Sequence, residues 1–106
     1  MLLSTEEQWQ QELNTPFTAR IAESFATFRL VEVKSLGCAS GYRTYSLLFQ
    51  GPQEPLLEQQ MISLSHEERG DCNLFLVPIA REQSGVIYEA VMNNRDEEAD
   101  SCQVIR

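Results

Sequence analysis

Apolar and polar residues alternate along much of the chain with a period of two, which is typical of β-strands with one buried face. In YRTYSLLFQ, Tyr45, Leu47 and Phe49 fall on one side, and Thr44, Ser46 and Gln50 fall on the other. Ile62 and Leu64 repeat this spacing. In VIYEAVMN the inward set is longer and comprises Val86, Tyr88, Ala90 and Met92. These segments predict short antiparallel strands.

Two segments depart from simple alternation. In FATFRLVEVKSL, Phe28 and Leu30 share one parity whereas Val31 and Val33 share the other. This change predicts a β-bulge or a strand covered on both sides. NLFLVPI is apolar at both parities, which predicts a central strand, and its Pro78 predicts that the far end of this strand lies at an edge or a bulge.

Glycine and proline separate these runs. Gly37 and Gly41 in LGCASGYR are expected to adopt positive φ angles, and GPQEP forms a loop. Residues 72–94 therefore form one hairpin of an antiparallel meander, with REQSG as its turn. Phe17 to Ile21 is expected to be a further short strand.

The N-terminal segment changes to a helical pattern. Ser4 or Thr5 can cap a helix, and Glu7 lies three residues after Ser4, as in a capping box. Trp9 and Leu13 share one helix face, and Pro16 ends the segment. A helix of about nine residues is marginal alone, so its Trp9 face must dock on the sheet.

The chain is therefore predicted to be mainly β: a small antiparallel barrel or sandwich of five to six strands with a short N-terminal helix. Three regions are expected: a helix in 1–15, a β domain in 16–93, and an acidic flexible tail in 94–106.

Composition narrows the class of partner. The 106 residues carry sixteen acidic and eight basic side chains, giving a net charge of −8. This acidic balance without a basic stripe disfavours nucleic acids and anionic membranes. No apolar run is long enough for a membrane helix. A protein partner is expected instead, or self-association through a sheet edge.

The cysteines and the first residues bear on location. Cys38, Cys72 and Cys102 are odd in number and widely spaced, and MLLSTEEQWQQEL lacks the pattern of a secretion signal. Three free thiols in the cytoplasm are expected, and one disulfide plus one spare thiol is the alternative.

Five segments in order also carry a family resemblance: FRLVEV, YSLLFQGP, LLEQQMISLSHEERG, LFLVPI and YEAVMN. Together they resemble an uncharacterised bacterial family, the domain of unknown function 6916, over about Phe17 to Asn93. Met61 and Met92 stand where that family's pattern has aromatic residues. The resemblance implies a compact β domain with no assigned catalytic residues. It also implies a structural or accessory role, since such genes occur near those of phage-tail-like proteins.

Candidate chemistry is sparse. His66 is the single histidine, and it could act as a general base with Cys72 or hydrogen-bond a turn. Tyr88 is expected to donate a hydrogen bond to His66 if both are buried. No nucleotide motif and no metal-ligand spacing occurs, so no catalytic residue, cofactor or metal is predicted.

Two functions follow, and an enzyme is the less expected. The first is a non-catalytic accessory or adaptor protein that binds another protein, with Trp9 on the docking helix. The second is a small-ligand-binding barrel or a minor hydrolase that uses His66 and Cys72. His66, Tyr88 and Trp9 are the candidate functional residues.

Overall fold

The structure is a computed structural model that describes residues 5–39, 41–54 and 56–95. In chain order the elements are α1 (Glu6–Gln10), β1 (Pro16–Ile21), β2 (Ser24–Ala39), β3 (Tyr42–Gly51), β4 (Gln60–His66), β5 (Gly70–Glu82) and β6 (Gly85–Arg95). The predicted mainly β architecture is confirmed. Positions 96–106 of the predicted tail and Ser4 lie outside the described residues, and β6 continues past position 93 to Arg95.

The six strands form a closed antiparallel barrel in the order β1-β2-β3-β6-β5-β4. Two three-stranded meanders, β1-β2-β3 and β4-β5-β6, meet where β3 pairs with β6 and where β1 pairs with β4. The helix end of the barrel holds α1 and the turns that follow β2 and β4. The opposite end holds the turns that follow β1 and β5, together with the described parts of the β3–β4 connection, 52–54 and 56–59.

Helix α1 is shorter than the expected nine or so residues, and it begins after Thr5, which is one of the two expected capping residues. Its N-cap is Thr5, whose hydroxyl accepts the Gln8 N–H while the Gln8 side chain accepts the Thr5 N–H. The capping box is therefore formed by Thr5 and Gln8 rather than by Ser4 and Glu7. Trp9 docks on the barrel, as predicted, and is fully buried.

The inward positions of the strands fill the barrel. Phe28, Leu30, Tyr45, Leu47 and Phe49 are all 0% exposed, as are many of their partners across the core. The interior is thus a packed core, as expected for small barrels whose inward side chains fill the space.

Two irregularities in register match the sequence pattern. The β2–β3 register shifts between Leu30 and Glu32, and this bulge returns Val33 to the inner face. The β5–β6 register shifts between Pro78 and Ala80, which confirms the bulge expected at the proline. Gly37 and Gly41 have φ angles of 117° and 80°, as predicted.

NLFLVPI lies in a central strand, as predicted, but only one of its two apolar faces is buried. Leu74 and Leu76 face the core, but Phe75 and Ile79 are 49% and 50% exposed. β5 does lie between two other strands, yet its outer face has no layer packed on it among the described residues. Within the same part of the chain, no helix has the length and apolar content needed to cross a membrane.

Candidate functional site

His66 ends β4 and turns its ring into the barrel, where it is 8% exposed. Its Nδ1 accepts backbone N–H groups from Glu68 at 3.1 Å and from Arg69 at 3.2 Å. The imidazole therefore stabilises the turn between β4 and β5. This is the structural alternative considered for His66.

The other ring nitrogen of His66 is also engaged. The Thr15 hydroxyl donates to the Glu12 carbonyl at 2.7 Å, so it turns a lone pair toward His66 Nε2, 3.1 Å away. Glu12 Oε1 lies 3.0 Å from the same nitrogen. Both neighbours are acceptors, so the partners assign the proton to Nε2. With Nδ1 accepting and Nε2 donating, neither nitrogen is free to take a substrate proton.

Cys72 is equally unsuited to nucleophilic attack. Burial raises the pKa of this thiol to about 11, and the Asp71 carboxylate adds to the rise. A thiol needs a lowered pKa to act as a nucleophile near neutral pH. Cys72 faces Leu64 across the β4–β5 ladder, whereas His66 faces Gly70. The geometry therefore offers no activated pair of thiol and imidazole.

Tyr88 is 1% exposed, and its hydroxyl accepts the Leu57 N–H at 3.0 Å. The expected hydrogen bond from Tyr88 to His66 is therefore wrong. The physical reason is their position: Leu57 belongs to the connection at the opposite end of the barrel, whereas His66 lies at the helix end. Tyr88 anchors that connection, and its ring packs 5.2 Å from that of Phe28.

Trp9 closes the helix end of the core. Its ring stacks on Phe17 at 5.8 Å and meets Phe49 edge-on at 6.2 Å. The nearby hydroxyl of Tyr45 is also enclosed, and burial raises its pKa to about 12; the Trp9 N–H opposes this rise and the Glu6 carboxylate adds to it. Trp9 therefore serves as a core residue that fixes α1 to the barrel.

The two described cysteines differ in their bonding, contrary to the expectation of three free thiols. Cys38 is disulfide-bonded and Cys72 is a free thiol. The expectation of three free thiols is therefore wrong, and both described cysteines agree with the alternative of one disulfide and a spare thiol. Cys102 lies outside the described residues. In the described ranges, no group of three His, Cys, Asp or Glu side chains could hold a metal ion.

An open groove of about 710 Å³ lies at the opposite end of the barrel, on its outer surface. The first residues of β2 form one wall, and the end of β3 with Pro52 forms the other. Phe25 projects from the β2 wall and is 69% exposed. Ile21 and Pro52 add apolar surface, and Arg29 lines the same groove.

The groove follows a strand edge without a partner strand. β1 pairs with β2 from Ser24 to Arg29, but β3 joins the other side of β2 only at Arg29, which faces Gln50. Beyond Gly51, β3 ends and the chain leaves the sheet. The stretch 24–28 of β2 therefore has a neighbouring strand on one side only, among the residues that the structure describes.

The turn before β2 decides which backbone groups face this groove. Ile21 lies opposite Ser24 across a two-residue turn, and such a closing pair exchanges both of its hydrogen bonds. The N–H and C=O groups of successive residues point to opposite sides of a strand, so those of Ser24 and Ala26 point toward β1. The N–H and C=O groups of Phe25 and Thr27 face the groove.

Hydrogen bonds farther along β2 agree with this alternation. The Leu30 N–H donates to the Thr15 carbonyl at 3.3 Å, and the Leu30 carbonyl accepts the Asn14 N–H at 2.7 Å. The backbone N–H and C=O groups of Leu30 thus point toward the β1 side, as expected for the even-numbered residues of this stretch. The assignment of Phe25 and Thr27 to the groove follows.

Sequence reasoning missed this site. It placed Phe25 in a strand but gave no reason for an aromatic residue at an outward parity. The one available signal was that Phe25 and Phe28 have opposite parity, so that one of them must point outward. The groove itself depends on where β3 stops pairing, which no local pattern reports.

Comparison with known proteins gives one result. A sequence model of the family described as Domain of unknown function (DUF6916) matches residues 4–92. No curated protein matches the chain, and no solved structure matches it.

Proposed function

This chain belongs to the family described as Domain of unknown function (DUF6916), and because that description assigns no function, we propose one from the surface of the chain itself. We propose that it is a non-catalytic accessory or adaptor protein that binds an extended segment of another protein. One observation carries the proposal: the backbone groups of Phe25 and Thr27 face an open groove without a partner strand.

An added strand fits the chemistry of this groove. Extended segments bind exposed sheet edges through main-chain hydrogen bonds, and pockets beside the edge select the side chains. No strand among the described residues pairs with the N–H and C=O groups of Phe25 and Thr27, so these groups can supply up to four such bonds. Phe25 and Pro52, on opposite walls of the groove, and Ile21 supply apolar surface beside them. The proposed ligand is therefore a β-strand segment that places an apolar side chain against these residues.

The alternative functions receive less support. A hydrolase would need His66 or Cys72 in a reactive state, and their hydrogen bonds and raised thiol pKa work against it. A ligand-binding barrel would need interior space, whereas the inward side chains pack into a continuous core. The adaptor proposal needs neither.

The test uses a displayed library of random peptides as the probe, screened on the purified protein. Peptides enriched on the parent should bind the Thr27→Val variant with similar affinity, because valine keeps the backbone N–H. They should bind Thr27→Pro about tenfold more weakly or worse, because proline removes one main-chain donor and its ring occupies the edge.

Proline is tolerated in strands where its missing N–H faces away from the ladder, so Thr27→Pro should fold, and a thermal melt checks this. Failure to enrich any peptide would overturn the proposal. So would enriched peptides that bind a folded Thr27→Pro as tightly as they bind Thr27→Val.

Two further features remain predictions. A link to phage-tail-like systems is inferred from the family resemblance alone, and the genes beside this one would test it. Three free thiols no longer support the expected cytoplasmic location, because Cys38 is disulfide-bonded and disulfides persist mainly in oxidising compartments. Fractionation of the source cells would decide between the cytoplasm and an exported location.

A further inference from the structure

The free stretch of β2 is open because β3 cannot continue along it. Gln50 faces Arg29, so the same register carried two residues farther would place Pro52 opposite Thr27. Proline has no backbone N–H, so Pro52 could not donate to the Thr27 carbonyl as a continued ladder requires. The edge at Thr27 is therefore left to a strand that does not belong to this sheet.

A strand added to this edge would turn its central side chain toward the inner face of the sheet. Ala26 lies two residues before the buried Phe28 and so shares its inward parity. Ala26 is half-buried and packs against the core. Side chains of residues directly opposite each other on two paired strands lie on the same face. The residue of a partner strand that lies opposite Ala26 would therefore also point inward.

The groups around this inward position are small or apolar. Ala26 pairs with Ala19 of β1, so two alanines stand side by side on the inner face. Ile21 packs against the core and also lines the groove, as does Gly51 at the end of β3. Apart from the exposed Ser24 at the turn, the inward side chains along this edge are apolar. Small neighbours leave room for a larger side chain, and apolar neighbours favour an apolar one.

Charge does not select a partner at this edge. Arg29 and Glu54 both line the groove and both are exposed, one of each sign. Arg20 is exposed opposite Phe25 on the outer face of β1, and Glu23 is exposed in the adjacent turn. These four charges cancel. Apolar contact is therefore the property by which this edge can distinguish one partner strand from another.

We propose that the partner segment places one large aliphatic or aromatic side chain opposite Ala26, and that Ala26 sets the size of that side chain. This inference rests on the proposed binding of an extended segment at the same edge and adds the chemistry of its recognition. The residues on either side of the central one lie opposite Phe25 and Thr27 and point outward. The one opposite Phe25 gains contact with an exposed ring but is not enclosed, so the central side chain carries the selection.

The test exchanges bulk between the protein and the tightest peptides from the displayed library. The enriched peptides should share one large apolar residue and no charged residue. Ala26→Leu adds bulk at the inward position and should weaken binding of the tightest peptide about tenfold or more, because both large side chains then compete for one space. Replacement of the shared peptide residue by alanine should weaken binding to the parent and strengthen binding to Ala26→Leu, so that the two changes are not additive.

Thr27→Leu is the matched control, because it adds the same side chain to the same edge at an outward position and keeps the backbone N–H. It should show no such compensation with the shared peptide residue. Ala26→Val adds less bulk and suits a strand. It should show the same compensation with a smaller factor, and it replaces Ala26→Leu if a thermal melt shows that the leucine variant is not folded.

The outcomes separate this inference from the proposed function. Peptides that lose affinity for Thr27→Pro but bind the Ala26 variants as they bind the parent would overturn the inference and leave the proposed function standing. Enriched peptides without a shared large apolar residue would overturn it too, as would equal compensation with Thr27→Leu. A library that yields no binding peptide would overturn both.

Discussion

His66 Nε2 and Glu12 Oε1 lie 3.0 Å apart and join the segment after α1 to the turn between β4 and β5. The second Glu12 oxygen accepts the Arg69 Nε–H at 2.7 Å, so the carboxylate binds two residues of that turn region. Glu12 is 7% exposed and His66 is 8% exposed. The contact therefore fixes the N-terminal segment on the barrel, and His66 contributes to stability.

Removal of the carboxylate should expose this dependence. Glu12→Ala removes the charged acceptor that the His66 ring and the Arg69 guanidinium share, and leaves Thr15 as the acceptor for His66 and Gln11 as the acceptor for Arg69. A hydrogen bond to a charged group contributes about 1.5–3 kcal/mol, so we expect a loss of about 2 kcal/mol in the free energy of unfolding. Urea denaturation measures it. Glu7→Ala, an exposed acid in α1, is the control and should change stability by less than about 0.5 kcal/mol; equal losses for both variants would contradict this role.

The Cys72 thiol should be slow to react. Its pKa is raised to about 11 by burial and by Asp71, so the thiolate fraction at pH 8 is about a hundredfold below that of an ordinary thiol. We expect alkylation by iodoacetamide to be slow in the native protein and fast in urea. Rapid modification of the native protein at pH 8 would restore Cys72 as a candidate nucleophile.

Tyr45 should make the fold sensitive to alkali. Burial raises its pKa to about 12 from an ordinary value of 10.0. A raised folded-state pKa stabilises the protein fully below about pH 10, and this contribution is lost as the pH rises toward 12. Tyr45→Phe should lose about 1 kcal/mol at pH 7, because the hydrogen bond from the Tyr45 hydroxyl to Asn94 is absent.

The same variant should also show a shallower fall in stability between pH 10 and 12. Urea unfolding measures the difference in a Cys72→Ala background, which removes the thiol whose pKa is also raised into this range. An unchanged alkaline slope in Tyr45→Phe would show that other groups cause the decline.

Two glycines with positive φ angles should respond differently to alanine. At Gly85, φ is 147°, and a Cβ atom would lie 2.1 Å from the Gly51 carbonyl oxygen. At Gly41, φ is 80° and a Cβ atom would meet nothing within 4 Å. We expect Gly41→Ala to cost about 1 kcal/mol from backbone strain alone, and Gly85→Ala to cost about 3 kcal/mol or more. Thermal melts of both variants compare them, and equal losses would refute the close approach.

Local patterns predicted the strands because alternate burial leaves a direct record in the sequence. The parity change at Val31 and the proline at position 78 both marked bulges that the structure contains. The sequence did not distinguish a closed barrel from a sandwich, because the pairing of β1 with β4 that closes the barrel joins residues far apart in the chain. Side-chain partners depend on that closure, so Tyr88 was wrongly paired with His66.

The candidate sites were harder to predict for the same reason. Glu12, Thr15 and Arg69 surround His66 only after α1 docks beside the β4–β5 turn. The groove exists because β3 stops pairing with β2 at Arg29. The position at which one strand stops pairing with the next leaves no periodic signal in the sequence. The exposure of Phe75 was not predicted, because a run that is apolar at both parities has the same composition whether its outer face is exposed or covered.

The central claim is that β2 presents a free edge at Phe25 and Thr27, and amide hydrogen exchange measured by NMR tests it most directly. In the free protein, the amides of Phe25 and Thr27 should exchange rapidly, whereas those of Ala26 and Phe28, bonded to β1, should exchange slowly. Addition of a peptide enriched from the library should slow Phe25 and Thr27 alone. Slow exchange at all four amides in the free protein, or no added protection when the peptide binds, would contradict the account.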